Sequence, residues 1–178
     1  LTFQRCAVWR SSETLWRDVI NKGPSATAHL NLGTYYSKQG RYDEAFVETL
    51  EAFRLEPDSP EIVLNLASAY ANKGMDSEAR ETFEKAIAMQ DDSARAYVNY
   101  GNFLVSYGAP GKGEEYLRKA VARDDGLAFA HGGLGLCLYR RGLYDEALAE
   151  IHKAIELDPY RAESHLYAGI IEKSRGNY

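Results

Sequence analysis

Residues 31–45 read NLGTYYSKQGRYDEA, and the same pattern returns as NLASAYANKGMDSEA at 65–79, NYGNFLVSYGAPGKG at 99–113 and GLGLCLYRRGLYDEA at 133–147. The spacing is 34 residues throughout, and its most regular column is glycine: Gly40, Gly74, Gly108, Gly142 and Gly176. Small residues form three further columns: Gly33, Ala67, Gly101, Gly135 and Gly169; Ala45, Ala79, Gly113 and Ala147; and Ala52, Ala86, Ala120 and Ala154. Larger residues stand between them, as in Leu32, Leu66, Tyr100 and Leu134, in Tyr36, Tyr70, Leu104 and Leu138, and in Phe53, Ile87, Val121 and Ile155. Small columns let two helices approach closely, and large ones fill the space between them.

Within one unit the apolar residues recur every three or four positions, as in Leu30, Leu32, Gly33 and Tyr36, then Ala45, Phe46, Leu50 and Phe53. This period predicts helix, turn, helix. The periodic glycine falls where the first helix stops and the chain reverses, a place that favours a left-handed backbone. Units close on Pro57, Asp91, Asp125 and Pro159, residues that break or cap helices. The register is four full repeats, 26–59, 60–93, 94–127 and 128–161, with a helical lead-in over 1–25 and a capping helix over 162–178. Ser12 to Pro24 reads as the second helix of a preceding unit, and Ala162 to Arg175 as a first helix that caps the stack. In the third repeat Pro110 suits a first turn, whereas Gly111 and Gly113 predict a locally loosened helix.

The motifs Leu32-Gly33-x-x-Tyr36 and Ala79-x-x-x-Phe83, with the closing prolines at this period, resemble the tetratricopeptide repeat (TPR) family over nearly the whole chain. The resemblance implies an all-α, right-handed α-α superhelix, a solenoid of helix-turn-helix repeats. It further implies a scaffold that binds an extended peptide or a protein surface in its concave groove, lined by the first helices, without enzymatic activity.

The chain has 178 residues, 45% of them hydrophobic, a net charge of -5 and a pI near 5.4. That charge disfavours nucleic acid as a partner, because phosphate tracking needs clustered Lys and Arg. The period, the acidity and the missing coding pair also set the chain apart from pentatricopeptide RNA binders. No window has the roughly 18 apolar residues of a membrane span, so direct membrane insertion is not expected. The absence of an initiator methionine and of a secretory signal leads us to expect a piece of something longer. Cys6 and Cys137 are 131 positions apart, with no metal-ligand spacing, and are not expected to bridge. His29, His131 and His165 share one repeat position, where a half-buried aromatic is expected. No metal or other cofactor is called for.

On the first helices one polar column runs through the repeats, Asn31, Asn65 and Asn99, ending at Gly133 and Tyr167. A carboxamide both donates and accepts, so such a row can pair with the backbone of an extended peptide about every third residue. It is similar to the asparagine ladder in the TPR superhelix of O-GlcNAc transferase. The alternative is that these asparagines bond neighbouring helices. Lys38, Arg95, Asn102, Tyr139, Arg140 and Lys173 are expected on the same face against Glu61 and Glu163, giving a slightly basic groove suited to a mildly acidic partner. The carboxylate clamp of chaperone-binding TPR domains is not met, since Leu30 and Thr34 stand where Lys and Asn would be needed.

The segment Arg5-x-x-x-Trp9-Arg10 with Leu15-Trp16-x-x-Val19 resembles the junction in membrane glycosyltransferase-like proteins, such as transmembrane and TPR-containing O-mannosyltransferases. It implies a substrate-recruiting, non-catalytic tail facing the lumen or periplasm; a stand-alone adaptor would be cytoplasmic. The simpler reading is that Trp9 and Trp16 bury themselves as a cap on the first full unit. Exposed solenoid ends are a further route, to self-association.

Overall fold

The computed structural model describes residues 12–89 and 93–176. Among them are ten α-helices and no strand. By compactness the chain divides into two units, residues 1–89 and 90–178. The first holds α1 (Ser12–Lys22), α2 (Ala26–Lys38), α3 (Tyr42–Leu55), α4 (Pro60–Asn72) and α5 (Asp76–Met89). The second holds α6 (Ala94–Ser106), α7 (Pro110–Arg123), α8 (Ala128–Arg140), α9 (Tyr144–Leu157) and α10 (Ala162–Arg175). Within each unit consecutive helices pack as neighbours, and first helices also touch: α2 with α4, α6 with α8, and α8 with α10. This is an all-α helical repeat.

Local chemistry sets the helix ends. Ser25 and Ser93 cap α2 and α6 by accepting from the amides of Ala28 and Ala96 at 3.2 and 3.4 Å. Pro60 and Pro110 open α4 and α7, where a missing N–H costs nothing. The glycine column makes the reversals: Gly40, Gly74, Gly108, Gly142 and Gly176 all have φ between 70 and 86°. At the first of these, Arg41 N–H donates to Tyr36 O at 2.9 Å, closing the turn over the last residues of α2. The bond recurs from Met75 to Tyr70, Ala109 to Leu104 and Leu143 to Leu138. The large column that fills the core thus also supplies the accepting carbonyls.

The core follows the columns. In the first unit Leu32, Tyr36 and Ala45 form one cluster, against which Trp16 and Ile20 of α1 pack. Trp16 therefore covers the first full repeat; Trp9, Arg5, Arg10 and Cys6 lie outside the described residues. In the second unit a single cluster joins Val98, Leu117, Leu134, Cys137, Leu138, Ile151 and Ile171.

The third repeat corrects one expectation. Helix α7 runs without interruption from Pro110 to Arg123, and Gly113 is buried. A Cβ there would lie 2.5 Å from Val105 Cγ2 and 2.8 Å from Gly101 O. This glycine is a contact point between α6 and α7, and the close packing outweighs the roughly 1 kcal/mol that glycine costs a helix.

A polar network ties α1 down. Arg17 donates to the Tyr36 hydroxyl at 2.8 Å, and that hydroxyl donates to Glu13 at 3.0 Å. Arg41 also reaches Glu13, at 3.1 Å, and lies 4.2 Å from the centre of the Tyr36 ring. The Tyr36 hydrogen bond, followed by Arg41 and Arg17, holds the Glu13 carboxyl below its usual range. A carboxyl lowered by folding contributes its stability above the usual carboxylate range and loses it as pH falls through its folded value. Amide exchange in α1 is therefore expected to speed up below about pH 4 relative to α2. Glu13→Gln should give the faster exchange already at neutral pH.

Candidate binding clefts on the first helices

Each compact unit has a cleft on its first helices. In the first unit it measures about 200 Å³ and is lined by Thr34, Ser37 and Lys38 of α2, by Asn65, Ser68 and Asn72 of α4, and by Tyr42 of α3. Gly33, Ala45 and Ala69 also line it, so its wall is mixed, and several of its polar groups are turned onto their own helices. Thr34 and Ser68 hydroxyls donate to the carbonyls of Leu30 and Leu64, and Asn65 Nδ2 donates to Glu61 O at 2.8 Å. Asn65 thus meets its own backbone, not a neighbouring helix, and one face of its carboxamide is used. Asn31 is half-buried on α2 and is not among the residues lining this cleft.

In the second unit the cleft measures about 400 Å³ and draws on all three first helices: Val98, Asn99, Asn102, Val105 and Ser106 of α6; Phe129, Gly132, Gly133 and Leu136 of α8; Ser164 and Tyr167 of α10. Arg161 and Glu163 complete it at the start of α10, paired with each other at 2.7 Å. Asn99 and Asn102 are brought together here, one helical turn apart. Gly133, where the asparagine column ends, is the bare position against Asn102: a Cβ there would stand 2.7 Å from Asn102 Oδ1 and 2.9 Å from Leu117 Cδ2.

The other expected groove residues lie elsewhere. Arg140 donates from Nη1 to Val105 O at 3.0 Å, satisfying a carbonyl in the last turn of α6. Tyr139 sets its ring 6.0 Å from Tyr144 and its hydroxyl 3.4 Å from Ser174 Oγ. Both are spent on packing between helices. Arg95 is exposed on the first turn of α6, outside the cleft lining, as is Lys173 on the last turn of α10. Residues not anticipated include Gly132 and Ser164. Their signal was present as departures from the columns: Gly132 where Leu30, Leu64 and Val98 stand, and Ser164 where Ala28, Ile62, Ala96 and Ala130 stand.

The histidine column has a structural use. His29 Nδ1 is 2.7 Å from Glu48 Oε2, and His131 Nδ1 is 2.7 Å from Glu150 Oε2, in each case joining the two helices of one repeat. His165 is exposed, with Nε2 2.8 Å from Pro159 O. Cys137 is fully buried; burial pushes its thiol up, and Sγ donates to Pro110 O at 3.2 Å. Such a thiol packs and does not attack. Among the described residues no three His, Cys, Asp or Glu side chains converge as metal ligands, and no helix is long and apolar enough to cross a membrane.

Comparison with known proteins agrees with this architecture. The chain is 39% identical over 61 residues to the protein O-mannosyl-transferase Tmtc2 of Drosophila melanogaster, a match covering 34% of this chain and 6% of that relative. Among solved structures, YrrB, described as a TPR protein with an unusual peptide-binding site, superposes with a TM-score of 0.58 at 24% identity, over 91% of this chain and 84% of that one. Human IFIT1, solved as a dimer with m7Gppp-AAAA, gives a TM-score of 0.84 at 18% identity, over 93% of this chain and 43% of that one. These two likenesses concern the fold. Three tetratricopeptide repeat profiles match residues 9–60, 36–99 and 128–161, which together make up well over half of the sequence. The chain belongs to the tetratricopeptide repeat family.

Proposed function

We propose that this chain is a protein-interaction scaffold that binds an extended peptide, or an extended segment of a partner protein, along its first helices. The observation that carries this reading is the second-unit cleft, lined by Asn99 and Asn102 together with the bare backbone of Gly132 and Gly133. Carboxamides without a side-chain demand of their own suit the alternating N–H and C=O groups of a strand. Asn65 and Lys38, in the cleft of the first unit, extend the same chemistry, with one cation there for a mildly acidic residue. The peptide-binding site named for YrrB supports the mode of binding on this fold.

Alanine at Asn99 and Asn102 together is expected to weaken a captured partner by at least about tenfold, since each backbone hydrogen bond is worth about 0.5–1.5 kcal/mol. Helicity should be unchanged. Unaltered affinity in the helical double variant overturns this reading.

A second reading is favoured by the match to Tmtc2. There the same clefts would serve a larger membrane glycosyltransferase-like protein by recruiting its acceptors. Coding sequence upstream of Leu1 decides it: several apolar spans support the tail, and a soluble domain overturns it.

A further inference from the structure

The cleft in the second unit has a cause in the sequence, and the cause specifies what fills it. The fifth residue of a repeat is a large apolar side chain, and the third residue of the following repeat is the surface it packs on. Leu30 and Ile62 meet this way in one buried cluster, and Val98 and Ala130 in another. Between α8 and α10 the pair is Gly132 and Ser164. The knob is missing: a Cβ built on Gly132 has nothing within 4 Å. The surface it would have covered carries a hydroxyl instead, and Ser164 Oγ is buried with no hydrogen-bond partner among the described residues. A packing void and an orphaned polar atom in the same wall mark a site shaped for something the chain does not itself supply.

The lining states the chemistry of the occupant. Phe129, Leu136 and Tyr167 give the wall an apolar part beside the polar part of Asn99, Asn102 and Ser106, and among the described residues the charges that line it, Arg161 and Glu163, neutralise each other. Among the described residues no unpaired charge lines the space, so a charged side chain entering it would lose its water without compensation. Resting on the peptide reading above, we infer that this cleft is a side-chain socket: it takes an uncharged aliphatic or aromatic side chain of an extended partner segment into the volume Gly132 leaves open. Asn99 and Asn102 then hold the backbone on either side of the anchor. The socket supplies selection for one residue, and the asparagines supply tolerance for the rest.

The test uses acetylated and amidated pentapeptides Ser-Ala-X-Ala-Ser, with X as Gly, Leu, Phe, Glu or Lys. Binding is read from the backbone amide resonances of Gly132 and Gly133 and the side-chain amides of Asn99 and Asn102. The Leu and Phe peptides are expected to saturate at about tenfold lower concentration than the other three, the value of burying one such side chain. G132L fills the socket from within. It should remove the preference for Leu and Phe while raising Tm by about 3 °C, because leucine is the better helix former and its Cβ meets nothing. G169A, an equally open helix glycine outside the cleft, should raise Tm and leave the preference intact.

Equal affinity for all five peptides overturns the socket and leaves the peptide reading standing, as does a preference for Glu or Lys. A lower Tm in G132L overturns the socket as well, because the space would then not be open. Resonances that move with no peptide overturn both.

Discussion

Replacing Leu117 by alanine is expected to destabilise the second unit by about 3–5 kcal/mol, at the upper end of the range for a buried leucine. Leu117 is wholly buried, and its branches occupy two notches made by missing side chains. Its Cγ lies 2.7 Å from where a Cβ would stand on Gly101, and its Cδ2 lies 2.9 Å from the corresponding point on Gly133. The two glycines belong to α6 and α8, so one side chain of α7 joins three helices. Alanine leaves a cavity between main-chain surfaces that have no side chains to relax into it, and limited relaxation is what raises the cost. The same geometry predicts a reversal. Gly101→Ala should destabilise the native protein by crowding Leu117 and Gly113 O, and should recover part of the loss when made together with Leu117→Ala. Thermal or urea unfolding of the two single variants and the double variant measures this coupling.

The second large effect concerns His131. It is 3% exposed, its Nδ1 is 2.7 Å from Glu150 Oε2, and its Nε2 is 3.0 Å from the Asp125 carbonyl. The ring links α8 to α9 and to the loop that enters α8. His131→Ala is expected to cost about 2–3 kcal/mol, the range for leaving a half-buried carboxylate and a carbonyl without their hydrogen-bond partner. Glu150→Ala should cost less, because its partner retains the Asp125 carbonyl. Made together, the two substitutions should cost less than their sum by about 1 kcal/mol, the sign of a direct contact. Additive losses in urea unfolding would show that the contact carries no energy.

Much of the fold was legible because each column has one physical duty. The five turn glycines share a left-handed φ, which an L-residue adopts only at a cost, so their spacing marks the end of every first helix. Trp16 was legible as a cover for the first full repeat because a large aromatic in that place has only the column of Leu32 and Tyr36 to pack on. Gly113 was misread, since helix propensity is local whereas its reason lies across the helix pair, in Val105 and Gly101.

The clefts were less legible. A column shows which residues share a face; it does not show which of them a long side chain turns away from that face. Arg140 lies in the expected place by count, but its guanidinium reaches a carbonyl of α6, and Tyr139 is drawn to Tyr144 and Ser174. Conversely, Gly132 and Ser164 looked like losses from their columns. Their meaning is a property of the pair, a missing knob opposite an unpartnered hydroxyl, and pairs across a repeat boundary emerge only when the helices are in place.

Binding along the first helices is the centre of this account, and hydrogen exchange with a bound partner tests it most directly. Amides of α2, α4, α6, α8 and α10 should gain protection on binding, most strongly around Asn99 to Asn102 and Gly132 to Gly133, while α3, α5, α7 and α9 keep their free-state rates. Protection centred on those second helices, with the first helices unchanged, would contradict it.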